Sequence, residues 1–383
     1  SPVCATALIV APARCFIPED LAAGRRVWGL AVQLYSLRSA RNWGIGDFTD
    51  LSRLATVAGR AGAALIGLNP LHARHLARPS AASPYAPSSR LFLDVMYLDV
   101  EAIADFALCE EAISAVADQA FQQRLAAARD APLVDYGAVA GLKLPILELL
   151  FRRFRAFLAD PANAADERAR HFRAFVERGG EALACCVEFD ALSLGLLEST
   201  GSLPSWREWP PELRDRANPA PAPLPDAAAG RIDFLSYLQW QAALQLEAAA
   251  DAARTAGMAI GLYRDLAVCA ADDGAESWGD PALLASGVSV GAPPDMLNRQ
   301  GQNWGTPPWN PRALERREFR PFAALLAANM QCAGALRLDH VMALTRLFWI
   351  PAGMNGSDGD YVSNPLESLA GIVALESERN RCM

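Results

Sequence analysis

Ala335-Leu336-Arg337-Leu338-Asp339-His340-Val341 is the stretch from which the fold is read. Leu336 and Leu338 alternate with Arg337 and Asp339, the period of a strand with the two charged side chains on one face. Ionised groups seldom sit on a buried strand face unless paired, because desolvation is costly. An arginine two residues before an aspartate supplies the pair, and a cation beside a carboxylate favours its ionised form. An ionised carboxylate aimed from a strand end suits a nucleophile in covalent group transfer. The same spacing also serves a structural ion pair at a barrel rim. What surrounds the strand decides between these readings.

Three further segments read as buried strands: RVWGLAVQLYSL (26–37), AALIGLNPL (63–71) and AIGLYRDLAV (259–268). After the first comes a polar loop, then a helix capped by Asp47, running to about Arg60 and closed by Gly62. A helix from about Arg320 to Gln331 leads into 335–341, and another runs from Pro365 to about Arg379. Leu347 to Ile350 is a short additional strand candidate. Strand–helix–strand spacing favours a parallel sheet, and four such units make the first half of a (β/α)₈ barrel, an α/β fold. Active sites of such barrels lie on the loops after the strands. Arg264-Asp265 and Arg337-Asp339 both sit at such ends. Long loops after strands two (72–94) and three (269–312) add weight to that end of the sheet.

Between these units the pattern is helical and rich in Ala, Arg and Leu, notably over 110–128, 144–158 and 166–189. It reads as a helical insertion. The Pro- and Trp-rich stretch 199–230 reads as a surface connection, and 232–255 as a further helix. The expected organisation is a lead-in (1–26), the first βα units (27–99), the insertion (100–230), and the third and fourth units with their loops (231–383).

The chain has 383 residues and a net charge of −8, with no basic run to neutralise a phosphate backbone, so no nucleic-acid partner is expected. No apolar stretch reaches the length of a membrane span. The eight cysteines form no CxxC pair, and only His72 and His75 of the four histidines are close together, so no metal or other cofactor is expected. Those two histidines read as polar loop residues. Scattered thiols point to a reducing, cytoplasmic compartment. The chain opens in a Pro- and Cys-containing segment and stops directly after a helical pattern, so both ends read as cut.

NWGIGDFTDL (42–51), SPYAPSSR (83–90), LYRDLAV (262–268), GAPPD (291–295), GQNWGTPP (301–308) and ALRLDHVMAL (335–344), with ALES (374–377) and RNRC (379–382), carry a resemblance. In this order they resemble the 4-α-glucanotransferases of the amylomaltase (disproportionating enzyme) family. The resemblance implies a (β/α)₈ barrel with a helical insertion, and transfer of α-1,4-glucan segments between maltodextrins with retention at the anomeric carbon. It implies Asp339 as nucleophile, Arg337 as its charge partner and His340 as a contact to the sugar bound there. Asp265 would line the donor site and Tyr85 would stack under the cleaved sugar. Asp295 and Trp304 would belong to a loop covering the cleft and binding the acceptor.

A retaining mechanism needs a second carboxylate as acid/base, about 5–5.5 Å from the nucleophile. In the family it lies in a GEDLG-type motif expected just after Met383, and a later His-Asp motif also falls outside this sequence. Glu376 and Glu378 read as ordinary helix residues. The chain alone is therefore expected to be inactive, and the last strand of its half-barrel to present an open edge through which the chain could self-associate. A non-catalytic α-glucan-binding protein and an α-glucan hydrolase are the alternatives.

Overall fold

The computed structural model describes residues 8–216 and 226–383. Its strands are β1 (Gly29–Val32), β2 (Leu65–Leu68), β3 (His72–Ala73), β4 (Ser89–Leu93), β5 (Gly261–Leu266), β6 (Val288–Ala292), β7 (Gln302–Asn303), β8 (Ala335–Leu338), β9 (Arg346–Pro351) and β10 (Asp360–Ser363). β1, β2, β5 and β8 pair in that order in an all-parallel sheet, the four expected strands in chain order. Each is shorter than its apolar run. After β1 the chain turns at once into a 3₁₀ turn at Leu34–Ser36, because the Leu34 amide donates to the Asn69 side chain instead of a neighbouring strand. Gly334 lets β8 enter beside β5: a Cβ there would lie 1.7 Å from the carbonyl oxygen of Ile260.

The helix Phe48–Arg60 starts in a reciprocal capping box. The Asp50 amide donates to Asp47 and the Asp47 amide to Asp50. Its Leu51, Ala55 and Ala58 are buried. The helices Arg320–Met330 and Leu366–Asn380 follow β5 and β8 respectively. A second, antiparallel sheet of order β10-β9-β6-β7 is built from the connections that follow β5 and β8. The short strand expected at 347–350 is thus an interior member of that sheet.

The insertion differs in detail from its sequence pattern. The helix expected over 110–128 breaks at Asp118, whose carboxylate caps a new helix by accepting from the amides of Ala120 and Phe121. The helix Glu167–Thr200 runs longer than expected and kinks at Gly180 (φ 46°, ψ −138°). Phe154 contacts Phe172, Tyr237 and Trp240 at ring separations of 5.2, 5.0 and 5.3 Å. These rings lie in one buried cluster that continues through the helix Asp226–Thr255 to Phe48, Leu51 and Ile66.

Two expectations fail. His72 and His75 are not polar loop residues but are both buried. The described part of 199–230 is not a bare surface connection. Trp206 and Trp209 are buried, and Trp209 stacks on Phe189 at 5.4 Å. The tryptophans mark a buried belt that a proline count obscures; residues 217–225 of that stretch lie outside the described residues. Among the described residues no helix is long and apolar enough to cross a membrane.

Candidate active site

The register of the parallel sheet sets Asp265 of β5 directly beside Arg337 of β8. Laterally registered residues of a parallel pair project to the same face, so this alignment brings the two side chains together. Arg337 grips Asp265 in two-pronged fashion, Nε to Oδ1 at 2.9 Å and Nη2 to Oδ2 at 2.8 Å. Tyr85, from the loop before β4, donates its hydroxyl to Asp265 Oδ2 at 2.8 Å and accepts from Arg337 Nη2 at 2.8 Å. Arg337 also approaches Asp339 Oδ1, at 3.8 Å. The expected order of partners is therefore changed: Arg337 is bound first to Asp265 across the strands and only loosely to Asp339 on its own strand. Arg264 and Asp265 likewise do not act as a pair. Being adjacent in a strand they point to opposite faces, and Arg264 donates to the carbonyls of Ala328 and Gln331 and to Asn329 at the end of the helix Arg320–Met330.

The two carboxylates differ in what is left over. The Asp265 side chain is 1% exposed and both its oxygens are taken. Burial pushes its carboxyl above the usual range, Tyr85 and Arg337 pull it down, and nearby Asp339 raises it again. The Asp339 side chain is 32% exposed, and among the described residues its carboxylate accepts no hydrogen bond. Its amide is fixed, donating to the Leu266 carbonyl at 3.0 Å. Asp339 thus stands on a rigid strand end with oxygens free to reach a substrate. Burial, with the hydrogen bond to Asp265, pushes the Tyr85 phenol up to about 12, so it remains a neutral donor.

His340 turns the chain away from β8 at φ 49°, ψ 56°, a left-handed conformation costly for a residue with a Cβ and frequent at functional turns. Its ring meets Trp304 edge to face at 5.1 Å. Trp304 is anchored by its amide to the Val290 carbonyl of β6. Asp295 is not brought into this group. It sits at the exposed end of the β6–β7 connection, where Oδ1 accepts from the amides of Leu297 and Asn298 and closes a local turn.

Sequence reasoning passed over the residues that hold the cluster from behind. Arg90, buried at the end of the SPYAPSSR stretch, pairs with Glu276 and donates to the Val268 carbonyl at 2.7 Å. The available signal was an arginine closing a motif otherwise made of turn formers. His72 accepts from the Ala267 amide through Nε2 at 3.1 Å. Its pKa lies well below the ordinary value, first through burial and then through Arg264 and Arg90, so it accepts as a neutral ring. Burial brings His75 to about 4, and its ring packs on Phe189. Among the described residues no group of His, Cys, Asp and Glu is placed to hold a metal ion. Glu376 is a buried helix residue paired with Arg379.

Comparison with known proteins bears on this geometry. Residues 32–383 match the family model described as 4-alpha-glucanotransferase. The chain is 39% identical over 379 residues to a 4-alpha-glucanotransferase of Haemophilus influenzae, covering 98% of this chain and 54% of that protein. It is 40% identical over 380 residues to the 4-alpha-glucanotransferase of Mycobacterium tuberculosis, covering 97% and 50% respectively. The chain thus spans about half the length of these curated relatives. Among solved structures it resembles the amylomaltase of Corynebacterium glutamicum with a TM-score of 0.81 and 32% identity, over 97% of this chain and 49% of that one. An amylomaltase of Streptococcus agalactiae in complex with acarbose shares the fold at TM-score 0.74 and 19% identity, over 91% and 66%.

Proposed function

We propose, from the premise that this chain belongs to the 4-alpha-glucanotransferase family, that it carries the nucleophile side of an active site that transfers α-1,4-glucan segments between maltodextrins. The observation behind this reading is that three separated motifs deliver Tyr85, Asp265 and Arg337 into one hydrogen-bonded group beside an unspent carboxylate, Asp339. Asp339 attacks the anomeric carbon. The bond from that carbon to the glycosidic oxygen breaks as an ester to Asp339 forms, and the departing glucan oxygen takes a proton from an acid. The 4-hydroxyl of an acceptor glucan then attacks the same carbon, gives up its proton and releases the carboxylate. Two inversions leave the configuration retained.

Arg337 and Asp265 fix the position and charge around Asp339. Tyr85, half-exposed, presents its ring to the sugar while its hydroxyl is held, and His340 and Trp304 form a wall for the neighbouring sugar. Asp295 acts from the exposed β6–β7 connection on the acceptor. None of these roles calls for a cofactor. Asp265, with both oxygens engaged, is a poor proton donor, and the resemblance puts the acid/base beyond Met383. We therefore expect residues 1–383 alone to bind maltodextrin without turning it over, since general acid catalysis contributes about 10²–10⁴-fold.

We retain the division into lead-in, first βα units, helical insertion and later βα units, and place the protein in the cytoplasm, consistent with the free thiols at Cys15, Cys109, Cys185, Cys186, Cys269, Cys332 and Cys382. Self-association along the sheet would use the outer edge of β1. The edge of the last strand, β8, is not the open one expected: Leu336 donates to the Met383 carbonyl and Met383 to that of Gly334. Sedimentation velocity reads this directly.

Incubation with maltotriose tests the reading. A protein carrying this chain together with its acid/base gives glucose and a ladder of longer maltodextrins. Glucose and maltose without a ladder favour the hydrolase. A ladder from residues 1–383 alone overturns the assignment of the acid/base.

A further inference from the structure

We infer that the buried Arg90–Glu276 pair is the positioning device of the glucan-cleaving cluster, locking the loop that carries Tyr85 to the loop that leaves the strand carrying Asp265. This inference rests on the glucan reading of the cluster. Tyr85 and Asp265 come from segments 180 residues apart, and their hydrogen bond needs the two segments in fixed register.

The register is set by a seam of contacts between 87–90 and 267–276. The Ala271 amide donates to the Pro87 carbonyl at 2.7 Å, the Glu276 amide to the Ser88 carbonyl at 2.9 Å, and the Ala275 amide to Ser88 Oγ at 2.9 Å. Gly274 permits this approach: a Cβ on it would lie 2.7 Å from the Ser88 Cα. Arg90 closes the seam. Its Nε lies 3.2 Å from Glu276 Oε1, its Nη2 donates to the same oxygen, and its own amide donates to Oε2 at 3.2 Å. Nη1 reaches past Glu276 to the Val268 carbonyl at 2.7 Å, and the guanidinium lies over Trp309 at 4.7 Å. Asn329 holds the Arg90 carbonyl at 2.9 Å.

The reach to Val268 gives the pair its consequence. Val268 is three residues beyond Asp265, and Leu266 between them accepts the Asp339 amide at 3.0 Å. Arg90 therefore sets where β5 ends, and that end orients both carboxylates. The side chain is 4% exposed, so its charge is not serving solubility, and neither Arg90 nor Glu276 belongs to the hydrogen-bonded group around Asp265.

The test uses two variants of the chain. Glu276→Gln strands a buried guanidinium and is open to failure by misfolding. The double variant Arg90→Met, Glu276→Met replaces the pair by apolar side chains of similar volume, which commonly preserves folding, yet removes the bond to Val268. Amide exchange is read at Ala271, Glu276 and Asp339, and maltoheptaose affinity by calorimetry well below the melting temperature. The expected result for the double variant is a cooperative melt, exchange at these amides faster by about tenfold or more, and maltoheptaose binding weaker by about 10- to 100-fold. Unchanged exchange overturns the inference. Faster exchange with unchanged affinity also overturns it, because it marks a structural tie alone. A wild-type chain that shows no affinity for maltoheptaose overturns the glucan reading itself, and that is seen before any variant is compared.

Discussion

Two clusters of arginine and aspartate serve the strand ends of this molecule, and they are opposites. In the first, Arg41 reaches Asp47 at 2.6 Å, Asp50 at 3.7 Å and Asp99 at 2.5 Å. Asp47 and Asp50 cap the following helix, Asp99 accepts from Thr49, and the buried Lys143 donates to the carbonyls of Met96 and Leu98. Every carboxylate there is buried and engaged. In the second, Asp265 is equally buried and engaged, but Asp339 beside it is neither. The first cluster is a knot holding a loop; the second is a knot with one end left open. The difference between structure and chemistry lies in that one carboxylate, and the two clusters should respond differently to substitution.

The largest effect is expected at the open end. Asp339→Asn, in the protein that carries this chain with its acid/base, should lower glucan transfer from maltotriose by about 10⁴-fold or more, as loss of a nucleophile does. The melting temperature should stay close to the parent's, because the Asp339 side chain accepts nothing. Transfer at near the parental rate would remove Asp339 from its role and leave two structural knots.

Next comes the same substitution in both clusters. Arg41→Met leaves several buried carboxylates without their cation and should cost about 3–5 kcal/mol in urea unfolding. Arg337→Met, at a side chain 47% exposed, should cost about 2 kcal/mol and act mainly on maltoheptaose affinity. Equal stability losses with unaltered affinity would erase the distinction.

The contrast also shows what the sequence made visible. The four parallel strands were legible as apolar runs, and in the third and fourth an arginine and an aspartate interrupt the run at its end, where a buried strand needs a pair. Asp339 was legible for the same reason. The knot was not: in NWGIGDFTDL only the cap at Asp47 has a local signal, while Arg41 finds Asp99 and Lys143 finds Met96 only across the fold. Arg337 shows the limit well. Its neighbour on the strand suggested the partner, but in a parallel sheet the residue alongside on the next strand wins, and that is Asp265. The burial of His72, His75, Trp206 and Trp209 was hidden for a related reason, since loop composition says nothing of what packs over a loop.

The knot carries a pH signature of its own, on a buried ammonium. Burial lowers the Lys143 ammonium from 10.5 to about 8, against the pull of Asp47, Asp99 and Asp94. Between those values the unfolded chain binds more protons than the folded one, so this residue's contribution to stability rises as pH goes from about 8 to 10.5. Wild type should therefore gain on Lys143→Met across that window, by about 3 kcal/mol in urea unfolding at the two ends. A constant difference would mean that Lys143 titrates normally and that the knot is wetter than its burial implies.

The finest comparison takes one hydroxyl from each cluster. Thr49 donates to the buried Asp99 at 2.6 Å, and Tyr85 donates to the buried Asp265 at 2.8 Å. The bonds are alike in length and partner, so equal worth would predict equal losses. In the knot nothing but the fold uses the bond, and Thr49→Val should lower stability by about 1 kcal/mol with glucan affinity unchanged. In the open cluster Asp265 keeps its two-pronged hold on Arg337 after Tyr85→Phe, and the ring at that half-exposed position remains. Stability should then move by no more than about 0.5 kcal/mol. What is lost is the hydroxyl's hold on the ring's orientation toward the sugar, so maltoheptaose should bind about fivefold more weakly, roughly the worth of one hydrogen bond. If Tyr85→Phe lowers stability and spares affinity, Tyr85 belongs to the scaffold, and the substrate surface retreats to Asp339, His340 and Trp304.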